Sequence, residues 1–259
     1  MKLQFSKYQG AGNDFILVDD RNSYFSLEQE EIEKLCDRHF GIGADGLILL
    51  QNDANADFKM VYYNSDGREG SMCGNGGRCV VRFAEDLDLI HNITQFNAVD
   101  GLHEAVISVD IIQLKMTNVS NVNSFPSHLF LNTGSPHHVE FVHEVDAVDV
   151  KHVGAQIRYG NPYFDEGSNV NFVEVLKDNS LKIRTYERGV EDETLACGTG
   201  ITAAAITAYH SGKIDSNHVK IQAMGGDLEV KFEKNISGGY EDIWLIGPAE
   251  KVFEGIIEL

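Results

Sequence analysis

The alternation of apolar and polar positions predicts a chain made largely of short strands. Alternating runs occur at Phe58–Asn64, Glu104–Val109, Val170–Val175, Leu181–Glu187, Asp227–Phe232 and Ile243–Ile246, the period expected of strands with one face buried. Helical spacing appears in four places. Ser26-Leu27-Glu28-Gln29 fits a capping box, and Leu27, Ile32, Leu35, Cys36 and His39 then follow up to Gly41. Val148, Val153 and Ile157, ending at Gly160, form a second helix. Val80, Phe83, Ala84 and Leu87 form a third. Ile201, Ala204, Ala205 and Ala208 form a fourth, which Gly212 stops. Its small residues predict a helix packed closely on all sides. Many strands, few helices and no strict alternation between them indicate an α+β fold.

The pattern repeats. Glu69 to Gly76 and Glu193 to Gly200 both read Glu-x-x-x-Cys-Gly-[Asn/Thr]-Gly, and each leads into an amphipathic run. Gly12 and Gly134 lie 55 residues before Gly67 and Gly189, and each precedes an apolar-alternating stretch, Phe15–Val18 and His138–Val142. A period of about 120 residues is too long for a solenoid unit. It predicts two similar domains, each presenting one Cys-Gly turn.

Composition narrows the chemistry. The 259 residues carry 21 Lys plus Arg against 40 Asp plus Glu, a formal net charge of −19. Such a chain repels phosphate backbones and anionic lipid, which argues against nucleic-acid and membrane partners. No apolar run approaches membrane length, and the N-terminal MKLQFSKYQGAGNDF has no signal core. The expected compartment is the cytoplasm, where Cys36, Cys73, Cys79 and Cys197 would remain thiols. Their spacing matches no metal site, and no histidines sit at ligand spacing. Gly41-Ile42-Gly43-Ala44-Asp45-Gly46 matches a dinucleotide-binding glycine pattern, but a helix precedes it and the apolar strand Leu47–Leu50 follows. That order is the reverse of what the motif requires.

Cys73 and Cys197 each sit just before a predicted helix start, where backbone N–H groups favour a thiolate and can hold a carboxylate. A single such cysteine suggests a nucleophile. Two, delivered by matching halves, suggest thiols on opposite sides of one carbon, inverting it by removing a proton from one face and supplying one to the other. Cys36 and Cys79 read as buried structural thiols.

At these residues the chain resembles the diaminopimelate epimerase family. The resemblance runs end to end and is carried by Gly10-Ala11-Gly12-Asn13-Asp14-Phe15, Asn64-Ser65-Asp66-Gly67, Cys73-Gly74-Asn75-Gly76-Gly77-Arg78, Tyr186-Glu187-Arg188-Gly189 and Ala196-Cys197-Gly198-Thr199-Gly200. It implies two pseudo-symmetric domains, each a strand barrel wrapped around a central helix. One covers 1–117 and carries Cys73; the other covers 118–247 and carries Cys197; a C-terminal strand, 248–259, returns to the first. It implies a cytoplasmic homodimer acting on a small amino-acid substrate without cofactor or metal.

Carried over by position, Cys73 and Cys197 are the acid–base pair, tuned by His137 and Glu187. Gly74, Asn75, Gly198 and Thr199 hold the reacting carboxylate through backbone N–H groups. Asn13, Asn64 and Asn169 bind the amino-acid groups, Glu187 an ammonium, and Arg188 the distal carboxylate. His138, beside His137, reads as an equally plausible solvent-facing residue.

Two positions depart from the family pattern. Ser135 stands where members often have Asn, and Gly46 where some have Gln, so a substrate contact at each is in doubt. Proline and hydroxyproline racemases also use two cysteines, but their substrates lack a second amino-acid head. Phenazine-pathway isomerases lack the cysteine pair. A thiol redox sensor or an amino-acid-binding protein would belong to a different class, and a sensor would not explain the carboxylate-binding turns.

Overall fold

Among residues 2–70 and 72–259, which the computed structural model describes, the alternating runs form seventeen strands and the helical runs four α-helices. The chain divides into two compact units, Met1–Leu114 with Gly247–Leu259, and Lys115–Ile246.

In the first unit, β1 (Lys2–Gly10) pairs antiparallel with β2 (Asn13–Asp19), and α1 (Gln29–Cys36) follows. Next come β3 (Gly46–Gln51), β4 (Phe58–Asn64), α2 (Gly74–Asp86), β5 (Ile93–Ala98), β6 (Gly101–Ile107) and β7 (Ile112–Lys115). The β2–β3 and β4–β5 pairings are parallel; β3–β4, β5–β6 and β6–β7 are antiparallel.

The second unit uses the same sequence of pairings. After β8 (Asn123–Ser124), β9 (Leu129–Asn132) and β10 (Pro136–Phe141) come α3 (Val150–Tyr159), β11 (Asn169–Val175), β12 (Leu181–Glu187) and the short β13 (Asp192–Thr194). They are followed by α4 (Gly198–His210), β14 (His218–Ala223), β15 (Gly226–Lys234) and β16 (Tyr240–Gly247). Here β10–β11 and β12–β14 are parallel; β9–β10, β11–β12, β14–β15 and β15–β16 are antiparallel. The last strand, β17 (Glu250–Glu258), pairs with β1 along its length.

Each unit buries its strands on two sides. Ile16, Val18, Leu47 and Leu49 pack against Ile32, Leu35 and Cys36 of α1. Burying an aliphatic side chain of this size stabilises by about 1.5–3 kcal/mol. The alternate residues face inward, and Ile48 and Met60 crowd Gly76 of α2. In the second unit, Val170 and Phe172 pack with Val150 of α3. α4 lies among β9, β10, β11, β12, β14 and β15, and its residues from Ile201 to Ala208 are all buried. A helix surrounded by strands tolerates only short side chains, which accounts for the alanines.

Two predicted boundaries are corrected. The first helix does not begin at the Ser26 box: its N-cap is Glu28, whose N–H donates to the Glu31 carboxylate at 2.9 Å. It also ends at Cys36, short of His39, because the Asp37 carboxylate accepts the N–H groups of His39 and Phe40 at 2.7 Å each and forms a turn that competes with the helix.

Candidate active site

Cys73 and Cys197 are the N-cap residues of α2 and α4. The backbone carbonyl of each closes the first helical turn at 2.8 Å, on Gly77 and Ile201. The Cys73 sulfur also accepts the Gly76 N–H at 3.2 Å, the position an oxygen takes in an ordinary helix cap. First-turn N–H groups have no acceptor inside their own helix, and they give each cysteine a positive local field. Cys73 is half-buried and Cys197 buried. Both other cysteines lie in the interior, where burial pushes the thiols up, Cys36 to about 12 and Cys79 further.

Beside Cys73, a line of polar groups fixes the asparagines. Arg78, fully buried, donates to the Asn75 side-chain oxygen at 2.9 Å, and Asn75 donates to that of Asn13 at 2.5 Å. Asn13 donates to Asp45 at 2.9 Å, and Asp45 accepts from Arg38 at 2.7 Å. With a guanidinium at one end and a carboxylate at the other, neither amide can flip. Asn64 lies apart from this line, exposed at the end of β4, where its N–H bonds the Arg68 carbonyl. No side chain fits at Gly46: a Cβ there would sit about 2.5 Å from the Tyr62 ring and the Tyr63 carbonyl.

Beside Cys197, the parallel register of β10 and β11 sets His137 opposite Asn169. Ser135 joins them: its Oγ lies 3.1 Å from His137 Nε2, 3.0 Å from Asn169 Nδ2 and 3.2 Å from Thr199 Oγ1, which in turn is 3.4 Å from the Cys197 sulfur. Asn169 Oδ1 accepts the Arg188 N–H at 2.8 Å, and the Arg188 guanidinium donates to the Glu166 carbonyl at 2.9 Å. Glu187 accepts from Thr194 Oγ1 at 3.0 Å.

Neither histidine faces solvent, contrary to the reading of His138. His137 is fully buried, and desolvation lowers it to about 3. His138 is also buried, bonds Tyr163 at 2.9 Å, and is lowered to about 3 by desolvation and by His128.

Sequence reasoning did not single out Asn171, Arg78 or Asp45. Asn171 carried a signal: it follows Asn169 by two residues on a strand that is otherwise apolar up to Glu174, so both amides fall on one buried face. Among the described residues, no group of three or more His, Cys, Asp or Glu is arranged to hold a metal ion. None of their helices is long and apolar enough to cross a membrane.

The fold recurs among solved structures of small-molecule isomerase and phenazine biosynthesis proteins. It matches a phenazine biosynthesis protein of the PhzF family from Bacillus anthracis, with a TM-score of 0.78, 14% identity and complete coverage of both chains. It also matches a hydroxyproline epimerase from Agrobacterium vitis with bound trans-4-hydroxy-L-proline, with a TM-score of 0.69 at 13% identity, covering 100% of this chain and 93% of the other. At these identities the likeness is one of fold. The family is narrower. The diaminopimelate epimerase family model matches residues 5–115 and 129–252. The diaminopimelate epimerase of Flavobacterium psychrophilum is 56% identical over 257 residues, spanning 98% of this chain and all of the relative. That of Chlorobaculum tepidum is 43% identical over 260 residues, spanning 96% and 99%. The chain belongs to the diaminopimelate epimerase family and is an isomerase.

Proposed function

We propose that the protein interconverts L,L- and meso-diaminopimelate, with Cys73 and Cys197 as the two acid–base groups. One observation carries this reading: in both units the residue capping the Cys-Gly helix is a cysteine, set against the N–H groups of the first turn. In this mechanism one cysteine, as thiolate, takes the α-proton and becomes a thiol. The electron pair left on carbon is delocalised into the carboxylate, which the N–H groups at Gly74, Asn75, Gly198 and Thr199 stabilise. The other cysteine, as thiol, gives its proton to the opposite face and becomes the thiolate. The pair leaves the cycle ready for the reverse reaction.

Glu187 would meet an ammonium and Arg188 the distal carboxylate, while Asn13, Asn64 and Asn169 would serve the amino-acid head groups, the last two by rearranging from their present contacts. In this reading the chain supplies every proton-transfer group, so no cofactor takes part. The proposed assembly is a cytoplasmic homodimer.

Incubation with L,L-diaminopimelate in deuterated water tests the proposal. Meso product carrying α-deuterium is the expected result. Exchange on proline isomers, with none on diaminopimelate, would assign the site to the racemase reaction instead.

A further inference from the structure

Around Ser135 the directions of the hydrogen bonds can be worked out from their fixed ends. Asn171 Nδ2 lies 2.9 Å from the His138 carbonyl oxygen, so that side of the amide is the NH2 group. Its second hydrogen meets His137 Nδ1 at 3.0 Å, which makes Nδ1 an acceptor. Burial keeps the His137 ring neutral, so its one proton sits on Nε2 and points to Ser135 Oγ at 3.1 Å. Asn169 is oriented by the Arg188 N–H on its oxygen. Its NH2 therefore donates to Ser135 Oγ and to the Pro136 carbonyl, at 3.0 and 3.2 Å.

Ser135 Oγ thus accepts twice, and its single proton is left for Thr199 Oγ1 at 3.2 Å. Thr199 accepts there, which leaves its own proton available to the Cys197 sulfur, 3.4 Å away. We infer that Ser135 is a positioning residue for Cys197: by accepting from His137 and Asn169 it turns its hydroxyl onto Thr199, which then donates to the sulfur. A hydrogen bond donated to sulfur favours thiolate over thiol. The inference rests on the acid–base reading for its catalytic meaning, but the hydrogen bond can be measured without turnover.

The test follows thiolate absorbance against pH in a Cys73→Ala background. Ser135→Ala should raise the Cys197 midpoint by about one unit, a tenfold loss of thiolate below the midpoint. Thr199→Val should do the same, and the double variant should shift it no further, because both act through one bond. Ser135→Thr, which keeps the hydroxyl, should restore the midpoint. A structural role alone would change unfolding and leave the midpoint where it was. An unmoved midpoint in Ser135→Ala or in Thr199→Val, or additive shifts, would overturn the inference. If Ser135→Ala does not fold, Thr199→Val and Ser135→Thr still decide. Failure of deuterium exchange with the expected midpoint shifts present would sink the substrate reading and leave this one standing.

Discussion

Arg78 and Asn75, three residues apart on α2, are joined by a 2.9 Å hydrogen bond from the guanidinium to the side-chain oxygen, and this bond turns the Asn75 amide toward Asn13. The same guanidinium holds the carbonyls of Gly74 at 3.2 Å and Pro248 at 3.3 Å. Complete burial lowers Arg78 to about 10, which still leaves it charged at neutral pH. One interior cation therefore ties the cysteine-capped helix start to the residue leading into β17.

Arg78→Met should accordingly destabilise the protein by about 3–5 kcal/mol, since two buried acceptors and a half-buried one lose this donor. Urea unfolding at unchanged m-value measures it. A loss under about 1 kcal/mol would mean that the three acceptors find other donors.

Cys73→Ala and Cys197→Ala should each lower epimerisation by several orders of magnitude, and the double variant should be little worse than either, because in the proposed mechanism the pair acts as a unit. Cys36→Ala and Cys79→Ala should keep turnover and cost only stability. An active Cys197→Ala enzyme would refute the pairing.

Arg188→Met should cost about 2–5 kcal/mol in kcat/KM on diaminopimelate if a desolvated carboxylate is left unpaired. Any residual activity on proline-like substrates, which have no distal carboxylate, should fall far less. Equal losses on both would remove Arg188 from substrate selection.

Stability should fall in mild acid. His137 and His138 are held near 3 in the folded chain, whereas unfolded histidine titrates at 6.5. Between those values the unfolded state binds more protons, so stability is full above pH 6.5 and declines as pH drops toward 3. Carboxylates such as Asp14, held at about 2 by Arg38 and Lys7 despite desolvation, act only below their ordinary 3.8. The slope of unfolding free energy from pH 6.5 to about 5.5, above the carboxylate range, therefore belongs to histidines. His137→Gln should flatten it, and an unchanged slope would contradict the buried neutral ring.

The parts readable from sequence are those that local pattern dictates. β4 and β12 run over the residues their alternation predicts, and the Cys-Gly helices begin where glycine and cysteine mark them. The first helix stops short of His39 because Asp37, between the spaced apolar positions, uses its carboxylate to close a turn. His138 was unreadable for a different reason. A strand buried on both sides places neighbouring residues of opposite orientation in the interior, so alternation no longer separates inside from outside. Ser135 stood out only as a departure from a pattern. Its role depends on where Asn169, 34 residues later, comes to rest.

The dry surroundings of α4 bear on how the protein ages and fails. A helix with a wet side can open by itself, letting its amides exchange with solvent while the rest of the domain holds. From Ile201 to Ala208 this helix has no wet side, so its amides should exchange only when the whole second unit opens. The cap at Cys197 cannot fray independently of that event. Heat or denaturant should therefore extinguish the chemistry proposed for Cys197 at the same point at which the unit unfolds, with no earlier stage in which a folded chain has lost that cap.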